Sequence, residues 1–258
     1  MTEKTFAQRY DRAFLLSEGK RNQVMELWEV QKFGVDSYGD AEYVCIYGMS
    51  PTEWHRRGVR LLARTTVEAV RDRLGNLIGQ DVERLVHDAA SRTTFRVIDP
   101  FAGSCNALYW ILRHLPGSNG VGFEIDETIF EMTRRNLPSV DRRIELIRGD
   151  YKPLLDRHRA PSAHVIVVFL APPWGDALTD TGLDLRRTKP PVAEIVEDFE
   201  RIFKDNRVLY VTQLHQSIEP VSLTELRQRF DSSELRIYDI NVEGMKPGVL
   251  LGKKRWAL

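Results

Sequence analysis

Cysteine is scarce in this chain of 258 residues, with only Cys45 and Cys105, in unlike contexts and without metal-ligand spacing. That excludes a disulfide scaffold and a structural zinc site, so a reduced, cytoplasmic protein without a bound metal is expected. No apolar run reaches the roughly 18 residues of a membrane-spanning helix, so no membrane partner is expected. The opening stretch, MTEKTFAQRYDRAF, is mixed in charge and has no apolar segment, so no secretory leader is expected there. Charge of one sign is missing too, because 37 Lys and Arg balance 37 Asp and Glu. Proteins that grip long nucleic acid are usually basic, so such a partner is not favoured here. The arginine pairs at 134–135, 142–143 and 186–187 read as solvated faces.

What is present is a change of pattern at residue 95. Residues 1–94 predict a mainly helical N-terminal extension. Within it, 21–33 (RNQVMELWEVQKF) places Val24, Leu27 and Trp28 at helical spacing, 34–40 is turn-rich, and YVCIYGM (43–49) reads as a short strand. A long helix is expected over 51–74, with Ser50 as its N-cap and Pro51 in the first helical position. A second is expected near 81–91.

From there strands and helices alternate. FRVIDP (95–100), VGFEID (121–126), RIELIRGD (143–150), AHVIVVFLAPPWG (163–175) and RVLYVTQL (207–214) read as strands. Between them lie the helical segments ALYWILRHL, ETIFEMTRRNL (capped by Asp126) and 190–204. The unbroken apolar run from 165 to 170 suits a parallel strand buried on both faces. SLTE (222–225) reads as a capping box opening a helix to Phe230. LRIYDINVEG and GVLLGKKRWAL read as a closing hairpin. The fold class is therefore α/β, a doubly wound, mostly parallel seven-stranded sheet with an antiparallel C-terminal hairpin strand. Residues 95–258 form its Rossmann-like domain.

Ligands of such sheets bind outside the carboxyl ends of the strands. The first strand closes on Asp99 and a tight turn, the second on Glu124, the third on Asp150 and the fourth on APPW. A lone strand-end acid is more often a turn or helix cap than a ligand. Acids closing three consecutive strands beside a proline-proline-aromatic end point to a site. A nicotinamide or flavin cofactor would need G-x-G-x-x-G in the first turn. Only Gly103 stands there, followed by Ser, Cys, Asn and Ala, and that cofactor class falls behind.

VIDPFAGSCNAL, GFEID, RGD and FLAPPWG, in that order over about residues 95–215, resemble the class I S-adenosylmethionine-dependent methyltransferases. The resemblance implies S-adenosyl-L-methionine as cofactor. Asp99, Pro100, Phe101, Ala102, Gly103 and Ser104 would cradle its methionine moiety. Glu124, with Ile125 beside it, would take the ribose, Asp150 the adenine amino group, and Tyr151 would lie beside the ring. The proline-proline-aromatic element marks enzymes that methylate amines, and its APPWG form is similar to that of trimethylguanosine synthase-like N-methyltransferases. QRYDRAF and TTVEAV are similar to the N-terminal part of that group. Two departures stand out. Cys105 replaces the glycine that usually ends the first loop, and Ala171, which borders cofactor and acceptor alike, replaces the usual Asn or Asp.

In that frame the two prolines would aim the carbonyls of Ala171 and Pro172 at an acceptor amine. Pro173 fixes the backbone direction, and Trp174 would offer a face for a planar ring. Asp176, Asp180 and His215 are candidates for orienting or deprotonating the acceptor; each acid also suits a plain loop. The activity expected is N-methylation of a planar small molecule or nucleobase-like acceptor. The alternatives are an RNA or DNA base methyltransferase and, from another class, a non-catalytic cofactor-binding partner subunit. The 1–94 extension is expected to serve as an acceptor lid.

Overall fold

The computed structural model describes residues 8–87, 94–158, 165–240, 242 and 245–256. Its strands are β1 (Phe95–Asp99), β2 (Asn119–Glu124), β3 (Ile144–Arg148), β4 (Val165–Leu170), the short pair β5 (Leu178–Thr179) and β6 (Gly182–Leu183), β7 (Arg207–Leu214), β8 (Ser232–Ile237) and β9 (Gly248–Lys254). Seven of them form one sheet in the order β3-β2-β1-β4-β7-β9-β8. β1 pairs in parallel with β2 and β4, and β4 with β7, while β9 runs antiparallel to both β7 and β8. Strand order reverses between β1 and β4, so the crevice at their carboxyl ends is the expected ligand site. β4 is buried along its whole length, as its apolar run requires.

One face of the sheet is covered by α8 (Tyr151–Leu154), α9 (Val192–Ile202) and α10 (Pro220–Arg227). Ile195, Val196, Phe199 and Leu226 close there on Ile98, Ile166, Val168 and Tyr210. The other face is shared between α6 (Asn106–His114) and the N-terminal helices α1 (Arg12–Leu16), α2 (Leu27–Tyr38), α3 (Pro51–Arg56), α4 (Ala63–Glu68) and α5 (Asp72–Val86). Met25, Phe33, Trp54 and Ile78 are continuous with Val97, Ile111, Phe169 and Val211, so extension and sheet share one core. The tightest contact is α5 on α6. A Cβ on Gly75 would lie 2.5 Å from the Trp110 ring, and one on Gly79 2.8 Å from the Trp110 carbonyl. Only glycine lets the two backbones approach so closely.

The strands β1 to β4, β7 and β9 follow the sequence reading to within a few residues, but β8 (Ser232–Ile237) lies upstream of most of LRIYDINVEG, β5 and β6 were not expected, and the extension departs further. Residues 34–38, expected to turn, continue α2, which starts at Leu27 through a reciprocal capping box between Glu26 and Glu29 and stops at Gly39 in the left-handed region. Its buried side is Val30, Phe33 and Gly34, and Trp28 points outward, 57% exposed. YVCIYGM is no strand, because positive φ at Tyr47 and Gly48 bends it into a tight turn. The helix over 51–74 is three pieces. Ser50 and Pro51 open α3 as expected, but the chain turns at Gly58 (φ +84°) and runs extended through Leu61 and Leu62. There Met25 N–H donates to the Leu61 carbonyl, and Ala63 N–H to the Gln23 carbonyl. Helical periodicity cannot report such a pairing between remote segments. α5 ends at Val86, and residues 88–91, 163–164, 241, 243–244 and 257–258 of the expected elements lie outside the described residues. The SLTE box also fails. Glu219 caps α10 through the N–H groups of Val221 and Ser222, with Pro220 in the first turn. Ser222 is buried, where its hydroxyl accepts from Leu185 N–H and donates to the Glu219 carbonyl.

Candidate active site

At the end of β1 the chain turns over a buried carboxylate. Asp99 is 1% exposed, and its Oδ1 accepts from Phe101 N–H at 2.9 Å. Burial pushes this acid up to about 7; the Phe101 N–H pulls the other way, and neighbouring Glu124 adds to the rise. Pro100 and Ala102 are buried, and the loop tucks against β2 because Gly122 has no Cβ; one there would meet the Ala102 methyl at 2.6 Å. Gly103 (φ +51°) and Cys105 (φ +61°) both take the left-handed conformation, and Cys105 is the N-cap of α6. That conformation is free for glycine and strained for cysteine. Burial also raises the Cys105 thiol well above its ordinary range.

Glu124 closes β2 and ties two loops together. Its Oε2 accepts from Gly103 N–H at 3.0 Å and its Oε1 from Asp126 N–H at 2.8 Å. Burial raises its pKa, and these two donors hold the rise in check. Ile125 stands 72% exposed beside it. Asp126 caps α7 (Glu127–Asn136) through Thr128 and Ile129 N–H and pairs with the buried Arg64 of α4 at 2.5 Å. Burial works against ionisation of Asp126, but Arg64 and the two N–H groups prevail and hold it below the usual carboxylate range. Asp150, exposed at the end of β3, caps α8 by accepting from Lys152 N–H at 3.0 Å.

Tyr151 corrects an expectation. Rather than lying open beside a ligand ring, it is buried between Phe101 and Phe199 and donates its hydroxyl to Asp198 at 3.1 Å. As the first residue of α8 it turns into the apolar layer under the sheet, where Phe101 covers it. Ser104 is also turned inward; its carbonyl accepts from the hydroxyl of Tyr47 and its Oγ from Asn106 N–H. Sequence reasoning missed Tyr47 and Arg64, which bring the extension onto the ends of β1 and β2 through Ser104 and Asp126. The one signal was TTVEAV, which directly follows Arg64.

Past β4, Ala171 is half-buried, Pro172 buried and Pro173 exposed. Trp174 is half-buried. It packs against the lower core and meets His215, just beyond β7, edge to face, with 5.7 Å between ring centres and 84° between planes. Gly175 (φ +41°) then turns the chain outward. The hairpin β5–β6 that follows is clamped to the loop after β7. Leu183 N–H donates to the Ser217 carbonyl, and Glu219 N–H to that of Leu183. Gly182 is required there, since its φ is +117° and a Cβ would sit 2.8 Å from Ile218 N. Asp176 is exposed and pairs loosely with Lys189 at 3.5 Å, and Asp180 is exposed. The structure therefore brings the Asp99–Ser104 loop, Glu124 and Ile125, Asp150 and APPW to one row of strand ends, and leaves Asp176 in solvent. Among the described residues, no group of three or more His, Cys, Asp or Glu is placed to hold a metal ion, and no helix is long and apolar enough to cross a membrane.

This row suits S-adenosylmethionine. It sets the acid Glu124 on the end of β2, the exposed apolar Ile125 directly after it, and the positive-φ Gly103 in the neighbouring loop after β1. Fold and site define a class I S-adenosylmethionine-dependent methyltransferase. Residues 95–246 match the family described as RNA cap guanine-N2 methyltransferase, and the chain belongs to that family. A search of curated proteins finds no match. Among solved structures, the METTL16 MTase domain is similar in fold, with a TM-score of 0.53 and 16% identity over 72% of this chain and 70% of that one. The delta-N METTL16 MTase domain gives 0.52 and 18% over 71% and 83%.

Proposed function

We propose that this enzyme N-methylates the exocyclic amine of a guanine-like base stacked on Trp174. The observation that carries the reading is the half-exposed indole fixed beyond two prolines at the end of β4, next to the cofactor strand β1. Family membership supports guanine as the base. The cofactor supplies an activated methyl group on a sulfonium, so the chain's own task is alignment, which accounts for much of such an acceleration. The carbonyls of Ala171 and Pro172 would accept from the amine and set its lone pair toward the methyl carbon. Stacking on Trp174 would hold the ring, at about 1–3 kcal/mol for a base on an aromatic face. Tyr47 of the extension reaches the Asp99–Ser104 loop and Arg64 the Asp126 cap beside Glu124, which supports a lid role for residues 1–94.

A compact acceptor is favoured over a long nucleic acid. Two cations near this rim are already paired, Arg186 with Asp184 and Glu219, and Lys189 with Asp176. The test offers labelled S-adenosylmethionine with a capped oligoribonucleotide, its uncapped form, free guanosine nucleotides and a small-molecule extract. Label on the capped oligonucleotide or free nucleotide supports the proposal. Label only on uncapped RNA, or only on a non-purine small molecule, overturns it.

A further inference from the structure

The family and the strand-end motifs leave His215 without a task, yet the fold places it against the presumed acceptor platform. It is the first residue after β7, the strand that pairs with β4 up to Leu170 and Thr212, and its ring meets Trp174 edge to face. We propose that His215 is the proton acceptor of the reaction. Its Nε2 takes the proton that the amine gives up as its nitrogen is methylated. This rests on the guanine reading of the acceptor.

The loop after β7 is suited to that role at the other ring nitrogen. His215 Nδ1 lies 3.1 Å from the Ser217 N–H and 3.1 Å from the Ser217 carbonyl. The neutral ring that can take a proton at Nε2 carries its own hydrogen on Nδ1, which donates to the Ser217 carbonyl, and that bond is kept when Nε2 is protonated, so the ring's orientation survives the change. Ser217 is held in turn, because its carbonyl also accepts from Leu183 N–H. Nε2 makes no hydrogen bond among the described residues. Imidazole is also the side chain whose proton equilibrium lies nearest neutrality, which suits it to acid–base work.

Most other acids of the site are engaged elsewhere, and Asp180 stands exposed on the β5–β6 hairpin. Asp99 and Glu124 hold backbone N–H groups on the cofactor side, Asp176 pairs with Lys189 in solvent, and Ala171 has no side-chain acceptor. The step balances without another reactant. The amine nitrogen bonds to the methyl carbon of the sulfonium donor as the carbon–sulfur bond breaks, and that electron pair stays on sulfur. The nitrogen then sheds one hydrogen as a proton to Nε2, its N–H bonding pair remaining as its lone pair. A guanine amine has its lone pair spread into the ring, so it is a weak nucleophile, and removing the proton makes the transfer irreversible.

The test uses the full chain with His215→Gln and His215→Gly, and a capped guanosine dinucleotide as acceptor. His215→Gln should keep the melting temperature, the S-adenosylmethionine affinity by calorimetry and the dinucleotide affinity by tryptophan fluorescence. Its single-turnover methyl transfer should fall about 100-fold or more, the usual reach of acid–base catalysis. In His215→Gly, added imidazoles should restore the rate, the more basic ones better than less basic ones of equal size. Wild-type transfer rates in His215→Gln overturn the proposal. So does rescue that follows imidazole size rather than basicity, or loss of dinucleotide binding with no rescue, since either makes His215 only a wall of the site. If the wild type itself methylates no guanosine acceptor, the guanine reading falls first and this inference with it.

Discussion

At the ends of β1 and β2, where the cofactor is proposed to bind, each acid is held by backbone N–H groups close by. Asp99 bonds Phe101, two residues on, and Glu124 bonds Asp126, two residues on, and Gly103 across one loop. At the end of β4, the proposed acceptor side, the aromatic ring is held from beyond β7, by His215 and by a loop clamped through Leu183 and Ser217. The first arrangement is local and polar, the second remote and built from rings and loop pairing. Polar cradles preorganise donors for a charged, hydroxyl-rich ligand, whereas an aromatic edge-to-face pair leaves a flat acceptor free to enter and leave. Damage to one side should therefore show mainly in cofactor binding, and damage to the other mainly in turnover.

The largest effect is expected from Glu124→Ala. S-adenosylmethionine should bind more weakly by roughly 1.5–3 kcal/mol, the range for hydrogen bonds to a charged group, and the melting temperature should fall because two N–H groups lose their acceptor. Calorimetric titration and a thermal melt measure both. Unchanged affinity in a folded variant would remove the ribose role.

Trp174→Ala should reverse that pattern, with cofactor affinity kept and acceptor turnover collapsing. Since the indole is only half-buried, its stability loss should stay below the roughly 3–5 kcal/mol of a fully buried aromatic. Trp174→Phe should recover part of the turnover. A loss of cofactor affinity equal to that of Glu124→Ala would break the comparison.

A smaller effect follows from Asp99. Its folded pKa, about 7, lies above the ordinary carboxylate value, so the folded state keeps a proton that the unfolded chain releases. Stability from this group is therefore present at low pH and is lost as pH rises toward about 7. Asp99→Asn, which cannot ionise, should melt near the wild type at acidic pH and above it by pH 8 in the absence of cofactor. Melting curves across that range check it; a gap that widens toward acid would be the wrong sign.

The smallest change is expected from Cys105→Gly. Glycine removes the strain of φ +61° but leaves the space of a buried thiol that lies against Gly122. These opposing terms should leave stability within about 1 kcal/mol of the wild type. A larger loss by denaturant titration would mean that packing outweighs conformation here.

Legibility divided along similar lines. Asp126 as a cap, the buried run of β4 and the acids at the ends of β1, β2 and β3 could be read because each depends on residues a few positions apart. Tyr151 could not, since whether a strand-end tyrosine faces ligand or core depends on Phe101 and Phe199 closing over it. The extension read worst. Leu61 and Leu62 look helical in sequence, but they run extended because Gln23 and Met25 pair with that segment. The same distance hid Arg64, whose partner Asp126 lies beyond β2, outside the extension.

The sequence by itself determined the alternating strands and helices, the order of the strand-end acids, the APPW element and hence the methyltransferase class. All of these follow from local periodicity, turn chemistry and short motifs. Only the tertiary structure decided that the extension shares the core of the sheet and reaches the loop after β1, that Tyr151 is buried, that Asp176 stands in solvent, and that His215 faces Trp174. Those outcomes depend on which remote segments exclude water from one another, and that is settled when the layers pack.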